Sequence, residues 1–298
     1  MTASPSLYDE SDHRPGSPPP AGVHLDSTAH IMNRISSQLA SRLRLVPLDG
    51  RRRPGPPALV VVAHGSRDPR ALSTVGTLLD RVRDLRPGLA VRLGHIELNE
   101  PLLSDTLADL DAADTADAVL VPLLLSRGYH VRRDIPETAA AVRVRTRVAA
   151  PLGPHPLLVE TLYTRLVEAG WRTRMTEAER RASAVVLAAA GSRDPDSAVD
   201  TGRTAQLLAD RLGVPVLPAY ASTAAPTVPA AVRALAARGR HRVAVASYFT
   251  APGRFATESA QAAPWIAAAP LGTHEAMARL VLHRYDQARA ANVAGNAA

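Results

Sequence analysis

Three side chains in this sequence have the types and spacing to take hold of a divalent transition metal. His64 follows the apolar run "LVVVA", Glu97 follows "VRLGHI", and His130 follows "VLVPLLLSRGY". Glu97 lies 33 residues beyond His64, and His130 lies 33 beyond Glu97. Two imidazoles and one carboxylate make an open site for a divalent transition metal, with coordination positions left for a second ligand. Histidine is also the side chain whose ordinary pKa, about 6.5, lets it accept and release protons near neutrality. His95 and Glu100 are nearby competitors. His95 alternates with Ile96 along a strand and so can face a helix layer, while Glu100 precedes a proline that marks a helix start.

Positioning three such groups calls for elements that end near one another. From Ala58 the sequence alternates short apolar runs with longer segments of helical period, which predicts βα units around a parallel sheet. Strands are expected at 58–63, 90–96, 117–125 and 146–149, with helices at about 69–86, 101–112, 132–143 and 155–169. The same order recurs with strands at 183–189, 214–220, 242–250 and 265–268 and helices at about 196–212, 226–238, 254–262 and 274–289. In open parallel sheets ligand-binding groups gather at the carboxyl ends of strands, and each of the three candidates follows a strand.

The recurrence is a duplication. "AHGSRDP" from Ala63 returns as "AAGSRDP" from Ala189, and "APLGPH" from Ala150 returns as "APLGTH" from Ala269. Two homologous α/β lobes are expected, at 58–172 and 180–290, after an extension over 1–57 and before a tail over 291–298. The second lobe is an internal control. Ala190 stands for His64, Ser222 for Glu97 and Phe255 for His130, so the scaffold does not need those side chains. "GSRDP" persists in both lobes and is read as strand-to-helix turn chemistry: Gly for the tight backbone, Asp as N-cap, Pro as first helical residue. It carries neither GxGxxG nor GxxxxGK, which disfavours a nucleotide-binding regulator, and no GxSxG elbow surrounds Ser66.

Composition narrows the classes. The 298 residues include no Cys, which excludes disulfides, thiolate metal sites and a cysteine nucleophile. All 35 basic residues are Arg and the formal charge is +7, compatible with an acidic partner, but aromatics make up 3%, too few for the stacking platforms of nucleic-acid binders. No apolar run reaches membrane-spanning length and the N-terminus does not read as a signal peptide, so a cytoplasmic protein is expected. Residues 1–26, with "RPGSPPPAG", read as disordered; Ile31, Ile35, Leu39 and Leu43 suggest an amphipathic helix over 28–46; "RRRPGP" at 51–56 reads as a linker.

The motifs "AHGSRDPR", "IELNEPLL" and "VPLLLSRGYHVRRDIP", in that order and spacing, resemble the sirohydrochlorin chelatases of the CbiX and SirB type. The resemblance covers about residues 58 to 290, including the doubled lobe of the long form. It implies a class II chelatase-like fold with the tetrapyrrole in a cleft between the lobes, and insertion of Fe2+ or Co2+ into sirohydrochlorin without ATP, in siroheme or cobalamin biosynthesis. It implies no cofactor beyond the divalent metal substrate, and a monomer with two fused lobes. Carried onto this sequence, it makes His64 and His130 catalytic and places the metal on His64, Glu97 and His130. Because sirohydrochlorin is an acidic tetrapyrrole, Arg67, Arg127, Arg132 and Arg133 are expected to pair with its carboxylates and Tyr129 to line the macrocycle. The alternative is a non-catalytic metal or tetrapyrrole binding and delivery protein using the same pocket.

Overall fold

The computed structural model describes residues 55–295, with side-chain surroundings to residue 291. The segment expected to be disordered over 1–26, the helix expected over 28–46 and most of the arginine run lie outside the described residues.

Two four-stranded parallel sheets form the frame. In the first, β1 (Ala58–Ala63), β2 (Val91–His95), β3 (Asp117–Pro122) and β4 (Arg145–Val148) lie in the order β2-β1-β3-β4. In the second, β5 (Ser183–Ala189), β6 (Val216–Tyr220), β7 (Arg242–Ser247) and β8 (Ile266–Ala267) repeat that order as β6-β5-β7-β8. Helices alternate with the strands: α1 (Pro69–Leu85), α2 (Leu103–Ala112), α3 (Ile135–Ala140) and α4 (Pro156–Glu168) in the first repeat. After α5 (Glu177–Ala182) come α6 (Pro195–Leu212), α7 (Val228–Ala236), α8 (Arg254–Gln261) and α9 (Glu275–Gly295). The expected order of elements is present. The short α5 is an addition inside the connection, announced by "TEAE": Thr176 and Glu179 form a reciprocal capping box.

Every residue of β1 and β5 is buried, as expected of central strands covered on both faces. Leu59, Val61 and Ala63 on one face of β1 share a core with Val185, Leu187 and Ala189 of β5. The alternate residues Ala58, Val60 and Val62 pack with Leu103, Leu107 and Ile135 beneath α2 and α3. A one-residue slip in register would exchange these two sets, so the joint core and the outer layers fix the pairing together.

The repeats interlock by exchanging their last long helices. α4, which follows the first sheet, packs on α6 and β7 of the second; α9, which follows the second, packs on α1 and β3 of the first as well as on α4. Side chains pin the exchange. Tyr285 is fully buried and its hydroxyl donates to the Pro57 carbonyl (2.6 Å), while Arg86 forms a paired hydrogen bond to Asp286 (2.9 and 2.8 Å). Residues 55 onward accordingly form one compact unit.

The duplicated turns have the same geometry in both repeats. Asp68 accepts from Arg70 N–H and Asp194 from Asp196 N–H, each at 2.9 Å and each followed by proline at the first helical position. Ser66 and Ser192 accept from the N–H of those aspartates, both at 3.1 Å. Gly65 (φ 106°) and Gly191 (φ 92°) occupy left-handed backbone. A Cβ there would sit 1.9 Å from the Glu97 carbonyl oxygen or 2.1 Å from that of Ser222, so only glycine fits. "GSRDP" therefore serves the turn in each repeat. Pro101 does not play the same part: α2 begins at Leu103 with Leu102 as cap, which leaves Glu100 ahead of the first turn rather than in it.

Candidate functional site

The carboxyl ends of β1, β2 and β3 bring the three nominated side chains together. His64 and His130 meet edge to face with ring centroids 4.8 Å apart, and His64 Nδ1 is 3.6 Å from Glu97 Oε1. Their side chains are 41%, 37% and 53% exposed for His64, His130 and Glu97, so the donors face an open mouth rather than the core. Among the described residues no three His, Asp or Glu side chains are already arranged to hold a metal ion. The donors are neighbours, not a closed cage.

Backbone hydrogen bonds join the loops that carry them. Glu97 N–H donates to the His64 carbonyl (3.0 Å), as Ser222 N–H does to the Ala190 carbonyl (2.9 Å) at the matching turn of the second repeat. That correspondence supports aligning Ser222 with Glu97. Asn99 adds a bond which the sequence did not suggest, its side-chain oxygen accepting from Ser66 N–H at 2.6 Å. Between them, Leu98 holds φ at 68° and its side chain is 51% exposed. Thr223 at the matching position has φ 46°. A bulky residue in that region is unusual, and here the tight loop demands it in both repeats.

His130 opens a single π-helical turn, His130–Asp134, in which Ile135 N–H reaches the His130 carbonyl before α3 begins. Such turns recur at functional sites. Four residues on, Asp134 Oδ2 lies 2.5 Å from His130 Nδ1. An ionised carboxylate only accepts, so Nδ1 carries the proton and Nε2 is left as the free lone pair. The i,i+4 spacing in "HVRRD" permits this contact without singling Asp134 out, because such pairs are common on any helix.

Geometry separates His95 from the cluster. His95 is 1% exposed, its Nδ1 lies 3.2 Å from the Pro101 carbonyl, and burial lowers its pKa. Glu100 is exposed ahead of α2. His155 and His274, the matched pair in "APLGPH" and "APLGTH", are helix caps: their Nδ1 atoms accept from Leu157 N–H and Ala276 N–H, each at 3.1 Å.

The five side chains expected to meet substrate are distributed unevenly. Tyr129 is 59% exposed beside His130, with ring centroids 6.3 Å apart, and Arg67 is exposed next to Ser66. Arg133, in the π-helical turn, pairs with Glu137 of α3. Arg127 and Arg132 are instead occupied by carboxylates of the second repeat: Arg127 by Asp200 and Asp196, Arg132 by Asp196 and Asp194. Both arginines thus have acidic partners within the chain.

Two interlocked parallel-sheet repeats with a His, His, carboxylate cluster at the strand ends of only one define a two-lobed α/β architecture. The same architecture occurs in SirB from Bacillus subtilis with Fe3+ (TM-score 0.65, 22% identity, 81% of this chain and 98% of that one). It also occurs in CbiX, the terminal enzyme for biosynthesis of siroheme in denitrifying bacteria (TM-score 0.59, 21% identity, 78% and 99%). The CbiX family model matches residues 58–169 and 184–288, and the chain belongs to the CbiX family.

Among curated relatives, the sirohydrochlorin cobaltochelatase of Methanococcus aeolicus is 34% identical over 80 residues, which are 27% of this chain and 56% of that protein. The sirohydrochlorin cobaltochelatase of Methanococcoides burtonii is 26% identical over 123 residues, 37% of this chain and 94% of its own. The sirohydrochlorin ferrochelatase of Bacillus subtilis is 27% identical over 175 residues, 57% of this chain and 64% of its own. The chain thus spans just over half of the first of these relatives and nearly all of the second. No helix among the described residues is long and apolar enough to cross a membrane.

Proposed function

We propose that this protein is a sirohydrochlorin chelatase, inserting Fe2+ or Co2+ into sirohydrochlorin in siroheme or cobalamin biosynthesis, with the metal as substrate and no further cofactor. The observation that carries the reading is the edge-to-face His64–His130 pair with Glu97 beside it, in one repeat only of a CbiX-family chain. Metal insertion releases two pyrrole protons while an ion changes ligands. His64 and His130 receive the ion and, as it leaves them for the macrocycle nitrogens, the lone pairs it vacates accept the two pyrrole protons, while Glu97 offsets its charge and directs it toward the macrocycle. Asp134 keeps the His130 Nε2 lone pair available. Neutral imidazoles and a single carboxylate at an open mouth bind an ion without trapping it. The macrocycle would lie in the cleft between the lobes, against exposed Leu98 and Tyr129, with Arg67 and Arg133 within reach of its carboxylates.

Anaerobic sirohydrochlorin mixed with Fe2+ or Co2+ tests this directly. Catalytic amounts of protein should speed the change in absorption spectrum; a rate equal to spontaneous insertion would leave a binding or delivery protein instead. His64→Ala and His130→Ala should each lower turnover at least about 100-fold, the scale of losing a general base or ligand. His155→Ala and His274→Ala should leave turnover near wild type at temperatures where the fold is intact. Equal losses at all four positions would overturn the assignment.

A further inference from the structure

The second repeat lacks the His, Glu and His of the first, yet it touches the segment that carries His130 at four residues, Leu125, Ser126, Arg127 and Arg132. Tyr248 at the end of β7 donates its hydroxyl to the Leu125 carbonyl (3.0 Å) and shares a hydrogen bond with Thr204 (3.1 Å). Ser197 on α6 shares a hydrogen bond with Ser126 (2.9 Å). Asp200, one turn further along α6, accepts from the Arg127 backbone N–H (2.9 Å) and from its Nε and Nη2 (3.0 and 2.7 Å). Asp196 takes Arg132 Nη2 and lies 3.2 Å from Arg127 Nη1. Gly153 leaves the room for this seam, since a Cβ there would sit 2.5 Å from both the Leu125 carbonyl and the Tyr248 hydroxyl.

The seam runs one way. At the positions matching Ser197, Asp200 and Tyr248, the first repeat has Ala71, Thr74 and Leu123, and at those matching Arg127 and Arg132 the second has Pro252 and Thr257. Arg70, opposite Asp196 in the alignment, folds back onto its own cap, Asp68. Two copies of one scaffold have therefore diverged so that one holds the donors and the other holds the donor loop.

We infer that the second repeat is a positioning device for His130, and that Arg127 and Asp200 are its central pair rather than Arg127 being a ligand for substrate carboxylates. This rests on the chelatase reading above. The Asp200 side chain is 5% exposed and both of its oxygens are used by Arg127, so a buried carboxylate anchors the Arg127 fork, and with it the loop, in a set orientation. Burial pushes the Asp200 carboxyl up, and the hydrogen bonds from Arg127 more than offset it, leaving the group below the ordinary carboxylate range and ionised near neutrality. Gly128, Tyr129 and His130 follow directly, so freedom at Arg127 becomes freedom of the imidazole against His64.

The test compares Arg127→Lys, which keeps the charge and loses the fork, with Asp200→Asn and Tyr248→Phe. Arg143→Gln, an exposed ion pair elsewhere in the first repeat, is the control. Expected are losses of about 10- to 100-fold in kcat for Arg127→Lys and Asp200→Asn, the range seen when groups orienting a ligand are altered, and a smaller loss for Tyr248→Phe. KM for sirohydrochlorin should stay within about threefold of wild type. Co2+ titrated without tetrapyrrole should bind at least about tenfold more weakly to these two variants, as to His130→Ala. A raised KM at unchanged kcat would make Arg127 a substrate ligand and overturn the proposal, as would unchanged Co2+ affinity in folded Arg127→Lys and Asp200→Asn. Should the wild type show no turnover, the chelatase reading fails, and the Co2+ titration still decides whether the seam orders His130.

Discussion

The His130–Asp134 hydrogen bond is the smallest unit on which the proposed chemistry depends. Asp134→Asn keeps an acceptor and should lower turnover less than Asp134→Ala, for which a loss of about 10- to 100-fold is expected in the insertion assay, with kcat falling more than KM rises. Equal turnover in both variants and wild type would remove Asp134 from the site. At this scale the sequence was informative where it contained its own control: His64, Glu97 and His130 stood out because Ala190, Ser222 and Phe255 replace them in an otherwise matching repeat. It was uninformative where only partner geometry decides. Arg127 and Arg132 have the right charge for an acidic macrocycle, and nothing in their neighbours in sequence points to Asp196 and Asp200 some 70 residues away. Asn99 and Asp134 are illegible in the sequence for the same reason, since a side chain that orients another is defined by a contact and not by a motif.

At the scale of elements, strand and helix order followed from apolar runs and from Asp-Pro starts, and the caps add a titration that composition alone does not reveal. His155 caps α4 through a neutral Nδ1 acceptor, and burial, with Arg284 and His283 nearby, pushes its pKa down from 6.5 to about 4. Burial, with Arg165 nearby, also lowers that of His274. A group that resists protonation when folded and accepts it when unfolded makes stability rise with pH. That contribution is complete above about pH 6.5 and is lost as the pH falls toward 4, on the order of 2 kcal/mol for His155. Chemical denaturation at pH 7.5 and pH 5 should show this difference, and His155→Asn, which caps without titrating, should narrow it. A wild-type stability independent of pH across that window would contradict the assignment. The helix with no periodic signal in the sequence is the short one in the connection. α5 is six residues inside a connection, too short to show a period, whereas the two-residue β8 falls within the strand expected at 265–268.

Over the whole molecule, the duplication was legible and the exchange of helices was not. Periodicity in α4 and α9 says that each buries a face, and it says nothing of which sheet receives it. The consequence is that neither repeat can be excised along the sequence boundary near residue 172. A fragment of residues 58–172 keeps α4 without the α6 and β7 it packs on, and leaves α1 and β3 without α9. It should fail to show a cooperative unfolding transition by circular dichroism, and mixing with residues 173–298 should restore one. Within the intact chain, Tyr285→Ala should destabilise by about 3–5 kcal/mol through lost packing at the first sheet, although residue 285 follows the second.

The same exchange sets a timetable. Tyr285 and Asp286 complete the cover of a sheet whose first strand is synthesised more than 200 residues earlier. Until α9 emerges, the apolar face of that sheet is exposed to whatever the cell offers, and closing it requires contacts of very long sequence separation, which form slowly. The protein should therefore depend on chaperones during translation more than its finished stability suggests, with the His64 and His130 loops reaching their final order only after α9 has docked.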